Sequence, residues 1–168
     1  MPKKIMEIKK QKRNGKEYVI LIDEEDYDKI KDYYWRIDAP VTRPWYGPYV
    51  VGEHRKTKKK VKLHRLILDA PDGMDVDHID HNGLNNTKEN LRICTHMQNM
   101  ANRKKNSNNK TGFKGVSLHR KKYRAQLRFN GERFSLGCYD TPEEAARAYD
   151  EKAKELHGEY ANLNFPDE

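Results

Sequence analysis

The sequence contains 168 residues, enough for one ordinary domain or two small ones and too few for a large multidomain enzyme. Charged residues make up 36% of the chain and hydrophobic residues only 35%, so we expect the hydrophobic core to be thin or divided. The formal net charge of +8 favours a polyanionic partner, with nucleic acid ahead of an anionic membrane.

Two further features argue against other classes of protein. No apolar run approaches the ~20 residues of a membrane-spanning helix, and the first residues show no signal peptide, so we expect no membrane partner. The two cysteines, Cys94 and Cys138, form no CxxC pair, which argues against a disulfide scaffold and a Cys-rich zinc ribbon. A cytoplasmic location is therefore expected.

The first part of the chain predicts a scaffold of short elements. The β-branched run at 17–22 predicts a strand. The acidic segment after it places Tyr27, Ile30 and Tyr34 at helical intervals, which predicts a short helix.

Two further strands, predicted at 49–51 and 60–64, enclose a lysine-rich segment that we expect to form a hairpin tip. Charge runs are usually solvated faces, but dense basic runs between strand-like segments favour contact with phosphates. We therefore predict DNA contacts from Lys58, Lys59 and Lys60.

The chemically informative segment begins with a strand that we predict to end at Asp77 and His78. A polar loop, a second strand and a helix capped by Thr95 follow, which predicts a hairpin packed on a helix. In such a hairpin the end of the first strand can face the first turns of the helix. Asp77 and Asn99 would then offer two oxygen ligands to a hard divalent cation, and His78 could accept a proton from a water that attacks a phosphodiester.

The segment DHIDHNGLNNTKENLRICTHMQN resembles the ββα-metal motif of HNH endonucleases, and above all their homing-endonuclease branch from phages and mobile introns. The segments IDEEDYDKIKDYYW and LHRL resemble that branch as well, so the resemblance covers about residues 15–105. It implies that His78 and Asn90 are catalytic, with Asn90 tying the hairpin loop to the backbone. It also implies that Asp77 and Asn99 bind a divalent metal, Mg²⁺ or alternatively Mn²⁺, with no zinc.

Three other histidines leave alternatives open. His96, one turn before Asn99, could bind the metal or a phosphate. His64 is more typical of a structural or supporting histidine, and His81 has no assigned role. A zinc site made of His78, His81, Cys94 and His96 would match no usual ligand spacing, so we do not expect one.

The polar, turn-rich segment at 106–112 is the best candidate for a linker because it lacks hydrophobic periodicity. We therefore predict a nuclease domain at 1–105, a linker at 106–110 and a second domain at 111–168.

From Thr111 the pattern predicts three antiparallel strands followed by one helix. Apolar and basic residues alternate, most clearly at 123–129, which is typical of a sheet with one covered and one open face. Asn130-Gly131 predicts a hairpin turn, and Thr141-Pro-Glu-Glu144 predicts a capped helix start. The helix, predicted to end at His157-Gly158, would cover the apolar face and leave the basic face open.

The phrases FKGVS, YRAQLR, LGCYDTPEEAARAYDEKA and ANLNFP resemble the Apetala-type, ethylene-response-factor-like DNA-binding domain. The resemblance implies that the sheet lies in the major groove of double-stranded DNA. The residue types at several contact positions differ from the plant pattern, so the plant target sequence is not carried over. The family's contact positions fall on Lys114, Ser117, His119, Gln126, Arg128, Arg133 and Ser135. Arg124 is a further candidate for reaching base edges.

These observations predict an α+β protein in which a ββα-metal HNH domain precedes a three-stranded antiparallel sheet packed on one helix. The predicted function is that of a metal-dependent, site-directed DNA endonuclease with no small-molecule substrate. A fragment truncated near Ser107 is expected to keep some cleavage. The alternative is a non-catalytic DNA-binding protein, similar to a transcription factor, with a degenerate nuclease half. The target sequence, nicking as opposed to double-strand cleavage, and the oligomeric state do not follow from the sequence.

Overall fold

A computed structural model describes residues 4–11, 15–38 and 47–167. The chain divides into two compact units, Met1–Thr95 and His96–Glu168. The predicted linker at 106–110 lies inside the second unit, and the proposed domain boundaries stay a prediction. No helix in the described part of the chain is long and apolar enough to cross a membrane.

The first unit is built from short antiparallel strands and helical turns. Strands β1 and β2 form a hairpin, β3, β4 and β5 form a three-stranded sheet in that order, and β6 pairs with β7. The elements are β1 (Ile5–Gln11), β2 (Glu17–Asp23), α1 (Tyr27–Ile30), β3 (Tyr33–Asp38), β4 (Tyr49–His54), β5 (Lys60–Lys62), α2 (Leu63–Ile67), β6 (Asp75–His78) and β7 (Leu91–Cys94).

One small core holds these elements together. The buried aliphatic side chains come from β2, α1, β4 and α2, and each stabilises the fold by about 1.5–3 kcal/mol when fully buried. The most deeply buried are Ile20, Ile22, Ile30, Val50, Leu63 and Ile67.

The structure corrects two predictions in this unit. Tyr34 lies on β3 and not on the helix, because α1 ends at Ile30, whose carbonyl accepts a hydrogen bond from the Trp35 indole at 2.9 Å. The strand predicted at 60–64 ends at Lys62, because helical spacing buries both Leu63 and Ile67 in the core. Strands β1 and β3 were not predicted.

The hairpin tip between β4 and β5 is confirmed. Lys58 adopts a φ of 61°, and its backbone N–H donates to the carbonyl of His54 at 3.0 Å. The three lysines of the tip are exposed.

The second unit confirms the predicted sheet and helix. The strand order is β10-β9-β8, all antiparallel, and one helix packs on the sheet. Its elements are α3 (His96–Ala101), β8 (Val116–His119), β9 (Lys122–Phe129), β10 (Glu132–Tyr139) and α4 (Pro142–His157).

Local signals in this unit were predicted correctly. Asn130 and Gly131 both adopt positive φ, at 50° and 82°, as a tight hairpin between twisted strands requires. Thr141 and Glu144 form the reciprocal hydrogen bonds of a capping box at the start of α4. The predicted fold class, α+β with a three-stranded antiparallel sheet on one helix, is confirmed.

The face of α4 that carries Ala145, Ala146 and Tyr149 packs on the sheet. Gly115 has a φ of 75° and lies against the Tyr149 ring, so a Cβ atom there would overlap the ring. The alternation predicted for β8 fails at Leu118, which is 64% exposed because it lies beside the β8–β9 turn and outside the packed cluster.

Candidate active site and nucleic-acid interface

Asn90 organises the loop between β6 and β7. Its amide nitrogen donates to a carboxylate oxygen of Asp80 at 2.9 Å and to the carbonyl of Asn85 at 2.8 Å. Its amide oxygen accepts the backbone N–H of Asp80 at 3.0 Å. One buried side chain thereby connects both ends of the loop, so the strand that precedes the loop is held in a defined position.

Asp80 is the second fixed point of this loop. Burial alone would raise the pKa of its carboxyl group, but hydrogen bonds from Asn85, Asn82 and Asn90 and the nearby His78 outweigh burial and lower it. Asp80 therefore stays ionised at neutral pH and accepts the hydrogen bonds that hold the loop.

Asp77 lies near the end of β6 with its carboxylate buried. Arg92 is directly opposite on β7, and its Nε and Nη2 atoms donate to Oδ2 of Asp77 at 3.0 and 2.9 Å. The pair orients the carboxylate and offsets much of the cost of burying it. Burial raises the pKa of the neighbouring Cys94 thiol to about 11, with Asp77 and Asp75 adding to the effect.

His78 is the next residue of β6 and is 5% exposed. Its Nε2 atom lies 3.4 Å from the amide oxygen of Asn86. Burial lowers the pKa of the imidazole, against the opposing effects of Asn86, Asp80 and Asp77. The ring is therefore neutral at pH 7, the state in which a histidine can accept a proton.

His64 of α2 packs against this catalytic candidate. The two imidazole rings meet edge to face with their centroids 4.9 Å apart, and the Tyr49 ring contacts both. In the described part of the chain the buried Nδ1 atom of His64 has no hydrogen-bond partner. Burial lowers the pKa of His64 to about 3, with the nearby His78 adding to the effect. The structure therefore places His64 beside His78, a neighbour that the sequence did not specify.

The remaining candidates of the motif lie on α3, in the second unit. Asn99 is half-buried on this helix, and His96 is exposed at its first position. His81 adopts a φ of 63° in the β6–β7 loop, and its backbone N–H donates to the carbonyl of His78 at 2.9 Å. The first unit thus brings together Asp77, His78 and Asn90, whereas Asn99 and His96 belong to the other compact unit.

The donor chemistry of Asp77 and Asn99 fits a hard cation, because both offer oxygen atoms. Magnesium is usually held by one or two carboxylates together with water and substrate phosphates, so a large protein cluster is not needed. Among residues 4–11, 15–38 and 47–167, no group of three or more His, Cys, Asp or Glu side chains is placed to hold a metal ion.

In the sheet formed by β8, β9 and β10, the face opposite α4 is polar and basic. The register pairs Ser117 with Arg124 and Gln126 with Ser135, so these side chains share one face with His119. Arg128 lies directly opposite Arg133 on the same face, and both are exposed.

Comparisons with known proteins match both halves of this arrangement. A family model described as HNH endonuclease matches residues 61–101, and a model described as AP2 domain matches residues 111–159. The chain contains an HNH endonuclease domain and an AP2 domain. This result confirms the resemblances to HNH endonucleases and to the Apetala-type domain that were proposed from the sequence.

Individual relatives support each half. An uncharacterized HNH endonuclease of Acanthamoeba polyphaga mimivirus is 42% identical over 62% of this chain and 58% of its own length. Protein 3.8 of Escherichia phage T7 is 34% identical over 66% of this chain and 96% of its own length. An ethylene-responsive transcription factor of Arabidopsis thaliana is 42% identical over 38% of this chain and 34% of its own length. No solved structure gives a significant match.

The chain therefore spans little more than half of the mimivirus relative and about a third of the plant one. The mimivirus protein supports the HNH match, and the plant protein supports the AP2 match.

Lys114 precedes β8, and its side chain has a hydrogen-bond partner within the second unit. Its ammonium group donates to the backbone carbonyl of Ala101 at 2.5 Å. Burial lowers the pKa of Lys114 to about 8, against the opposing effect of Asp150. The side chain that the family resemblance assigns to DNA contact is thus used inside the second unit.

The hairpin-tip lysines of the first unit have two different surroundings. Lys58 lies 3.8 Å from Glu53, a weak exposed ion pair. Lys59 and Lys60 line a surface groove together with Arg36, Lys62 and Arg65. The sequence did not indicate Arg36, because it lies outside the basic run and joins the groove only through the β3–β4–β5 sheet.

The pKa of His64 predicts a pH dependence of stability. The folded value, about 3, lies below the ordinary value of 6.5, so the unfolded chain binds the proton first. Stability should be fully present above about pH 6.5 and fall toward pH 3, by at most about 1.4 kcal/mol per pH unit from this group. Urea unfolding at about pH 7.5 and about pH 5 measures the loss. In His64→Phe the loss should be smaller, whereas in the exposed control His119→Asn it should match the wild type. An equal loss in His64→Phe would show that His64 is not the cause.

Proposed function

We propose that the protein is a metal-dependent, site-directed DNA endonuclease that hydrolyses phosphodiester bonds. In this proposal the HNH domain cleaves double-stranded DNA in the manner of a homing endonuclease, and the AP2 domain directs the enzyme to its DNA site. The observation that carries the proposal is a buried, neutral His78 directly after the ion-paired Asp77. The proposal also includes the boundaries 1–105, 106–110 and 111–168, and a location in the cytoplasm of a bacterial or phage-infected cell. The phage relative supports that location.

His78 is the proposed general base. When its Nε2–H donates toward Asn86, the lone pair of the neutral ring is on Nδ1. His64 and Tyr49 pack around the ring and keep water away from its faces, which holds the pKa low and the imidazole in one orientation. A water molecule beside this ring can transfer its proton to it while attacking phosphorus.

Asp77 and Asn99 are the proposed metal-binding residues. A divalent cation bound by them would stabilise the negative charge that develops on the phosphate. Arg92 holds one oxygen of Asp77, so the carboxylate is already oriented before any cation is shared with it. Asn90 keeps the following loop in place, so its proposed catalytic role is to position Asp77 and His78. His96 remains an alternative ligand or phosphate contact.

The AP2 sheet is the proposed DNA-reading surface. Like charges directly opposite each other in a sheet are destabilising, and Arg128 faces Arg133 with no ion pair to either in the described part of the chain. An anionic ligand would relieve this repulsion. Neighbouring Arg124 and Gln126 share the face and can reach base edges in the major groove.

The alternative function is that of a non-catalytic DNA-binding protein whose nuclease half has degenerated. The matches to plant transcription factors favour it for the AP2 domain. The presence of Asp77, His78, Asn90 and Asn99 together favours an active nuclease. A plasmid-nicking assay with and without Mg²⁺ separates the two.

Replacement of His78 by alanine should abolish cleavage and leave DNA affinity nearly unchanged. Loss of a general base costs about 10²–10⁴-fold in rate, and the side chain is too buried to hold DNA. Single-turnover cleavage and a gel-shift titration measure the two quantities. The exposed neighbour Ile79→Ala is the matched control. Cleavage by His78→Ala above about a tenth of the normal rate would contradict the assignment.

Cleavage should stop in excess EDTA and return when Mg²⁺ or Mn²⁺ is added. Asp77→Asn should weaken binding of Mn²⁺, measured by calorimetry, because a neutral amide is a poorer ligand than a carboxylate. Asp72→Asn, an exposed acid in the preceding turn, is the control for loss of one negative charge. Undiminished cleavage in EDTA, or full activity of an Asp77→Ala, Asn99→Ala double variant, would overturn the metal assignment.

Substitution of Arg128 or Arg133 by glutamine should weaken DNA binding and reduce its salt dependence. Each phosphate contact that is removed lowers the slope of log K against log salt by about 0.9. Binding of the full chain to duplex DNA at several salt concentrations measures the slope. Lys154→Gln on α4, which packs on the opposite face of the sheet, should leave the slope unchanged. Equal salt-dependence slopes in all three variants would show that the AP2 sheet does not contact the DNA phosphate backbone.

A further inference from the structure

Helix α3, which carries Asn99, is too short to be stable in isolation. It has only six residues, whereas isolated helices shorter than about 12–15 residues are marginal in water. Its last carbonyl groups also need donors from beyond the helix, and those of Gln98 and Met100 accept the N–H groups of Asn102 and Arg103.

The carbonyl of Ala101 at the end of α3 and that of Arg103 just beyond it find donors in the AP2 part of the chain. The ammonium group of Lys114 donates to the carbonyl of Ala101, the last residue of α3, at 2.5 Å. The side-chain amide of Asn162 donates to the carbonyl of Arg103 at 3.1 Å, and its backbone N–H donates to Ala101 at 3.4 Å. A positive charge at this end of a helix also interacts favourably with the helix dipole.

A series of hydrogen bonds that begins on α4 holds Lys114 in place. The buried carboxylate of Asp150 accepts the backbone N–H of Asn164 at 2.9 Å and its side-chain amide at 3.0 Å. The Asn164 side chain in turn accepts the backbone N–H of Lys114 at 2.6 Å and donates to its carbonyl at 3.1 Å. The backbone of the lysine is therefore held by Asn164, which is itself held by Asp150 of α4.

We propose that the AP2 domain is a structural part of the nuclease, in which Lys114 and Asn162 anchor the end of α3 and thereby position Asn99. Both are positioning residues that act on the metal-binding helix from beyond the predicted linker. The inference rests on the proposed function, because Asn99 matters only where a metal is bound.

The consequence differs from the expectation of separable modules. A fragment that ends near Ser107 lacks both anchoring residues. It should therefore lose cleavage itself and not only affinity and site preference.

The test compares Lys114→Met, which removes the charge and keeps the apolar stem, with Lys110→Met, an exposed lysine nearby whose loss changes the net charge equally. Both are made in the full chain. At saturating duplex DNA and Mg²⁺, Lys114→Met should cleave at least about tenfold more slowly, because a small displacement of a catalytic group has large effects on rate. Its DNA affinity should stay within about twofold of the wild type. Lys114→Arg should restore the rate.

Amide hydrogen exchange gives a readout that does not need activity. The backbone N–H groups of Asn102 and Arg103 donate to Gln98 and Met100 and should exchange faster in Lys114→Met. Those of the β9–β10 hairpin should not change. Asn162→Ala should produce the same pattern independently, which covers a Lys114 variant that folds poorly.

Distinct results overturn distinct claims. Weaker DNA binding by Lys114→Met with an unchanged rate at saturating DNA would mean that Lys114 contacts phosphate, and the anchoring proposal would be wrong. Unchanged exchange at Asn102 and Arg103 would also overturn it. An inactive wild type with normal exchange differences would instead overturn the proposed function and leave the anchoring of α3 supported.

Discussion

Side-chain amides of asparagine fix the loops on which both halves of this protein depend. Asn90 joins the two ends of the β6–β7 loop, and Asn164 joins α4 to the segment before β8. Each amide both donates and accepts, which lets one side chain replace several backbone contacts. With hydrophobic residues at only 35% of the chain, packing alone cannot order these segments. Because a buried polar network is costly when one member is missing, the networks restrict each loop to one arrangement.

At the candidate active site, burial leaves one side chain neutral and its neighbour in an ion pair. Desolvation keeps His78 neutral. The residue directly before it, Asp77, has a buried carboxylate that forms an ion pair with Arg92. The residues proposed as general base and as metal ligand therefore occupy adjacent positions of one strand. His64 adds a second desolvated imidazole beside His78, and within the described residues its buried Nδ1 atom has no hydrogen-bond partner.

The family boundaries and the compact units do not coincide. The HNH match extends to residue 101, yet the compact first unit ends at Thr95. Helix α3 is thus part of one family by sequence and part of the other unit by contacts. Within the second unit, hydrogen bonds from Lys114 and Asn162 connect the end of α3 and the residues just after it to the later part of the chain. A chain that joins two small domains can use one to complete the other, since neither has a large core of its own.

The sequence by itself determined the elements whose signals are local. The Asn130-Gly131 turn and the Thr141 capping box depend on neighbours a few residues away, so they were predicted correctly. The same holds for the order of strand, loop, strand and helix around His78, because the motif is contiguous in the chain. Tertiary structure decided whatever depends on distant contacts. Tyr34 joined a strand because β4 pairs with it, and His64 became a neighbour of His78 only through the packing of α2. The hydrogen bond from Lys114 to the carbonyl of Ala101, thirteen positions earlier, is likewise a contact that no local pattern of side chains encodes.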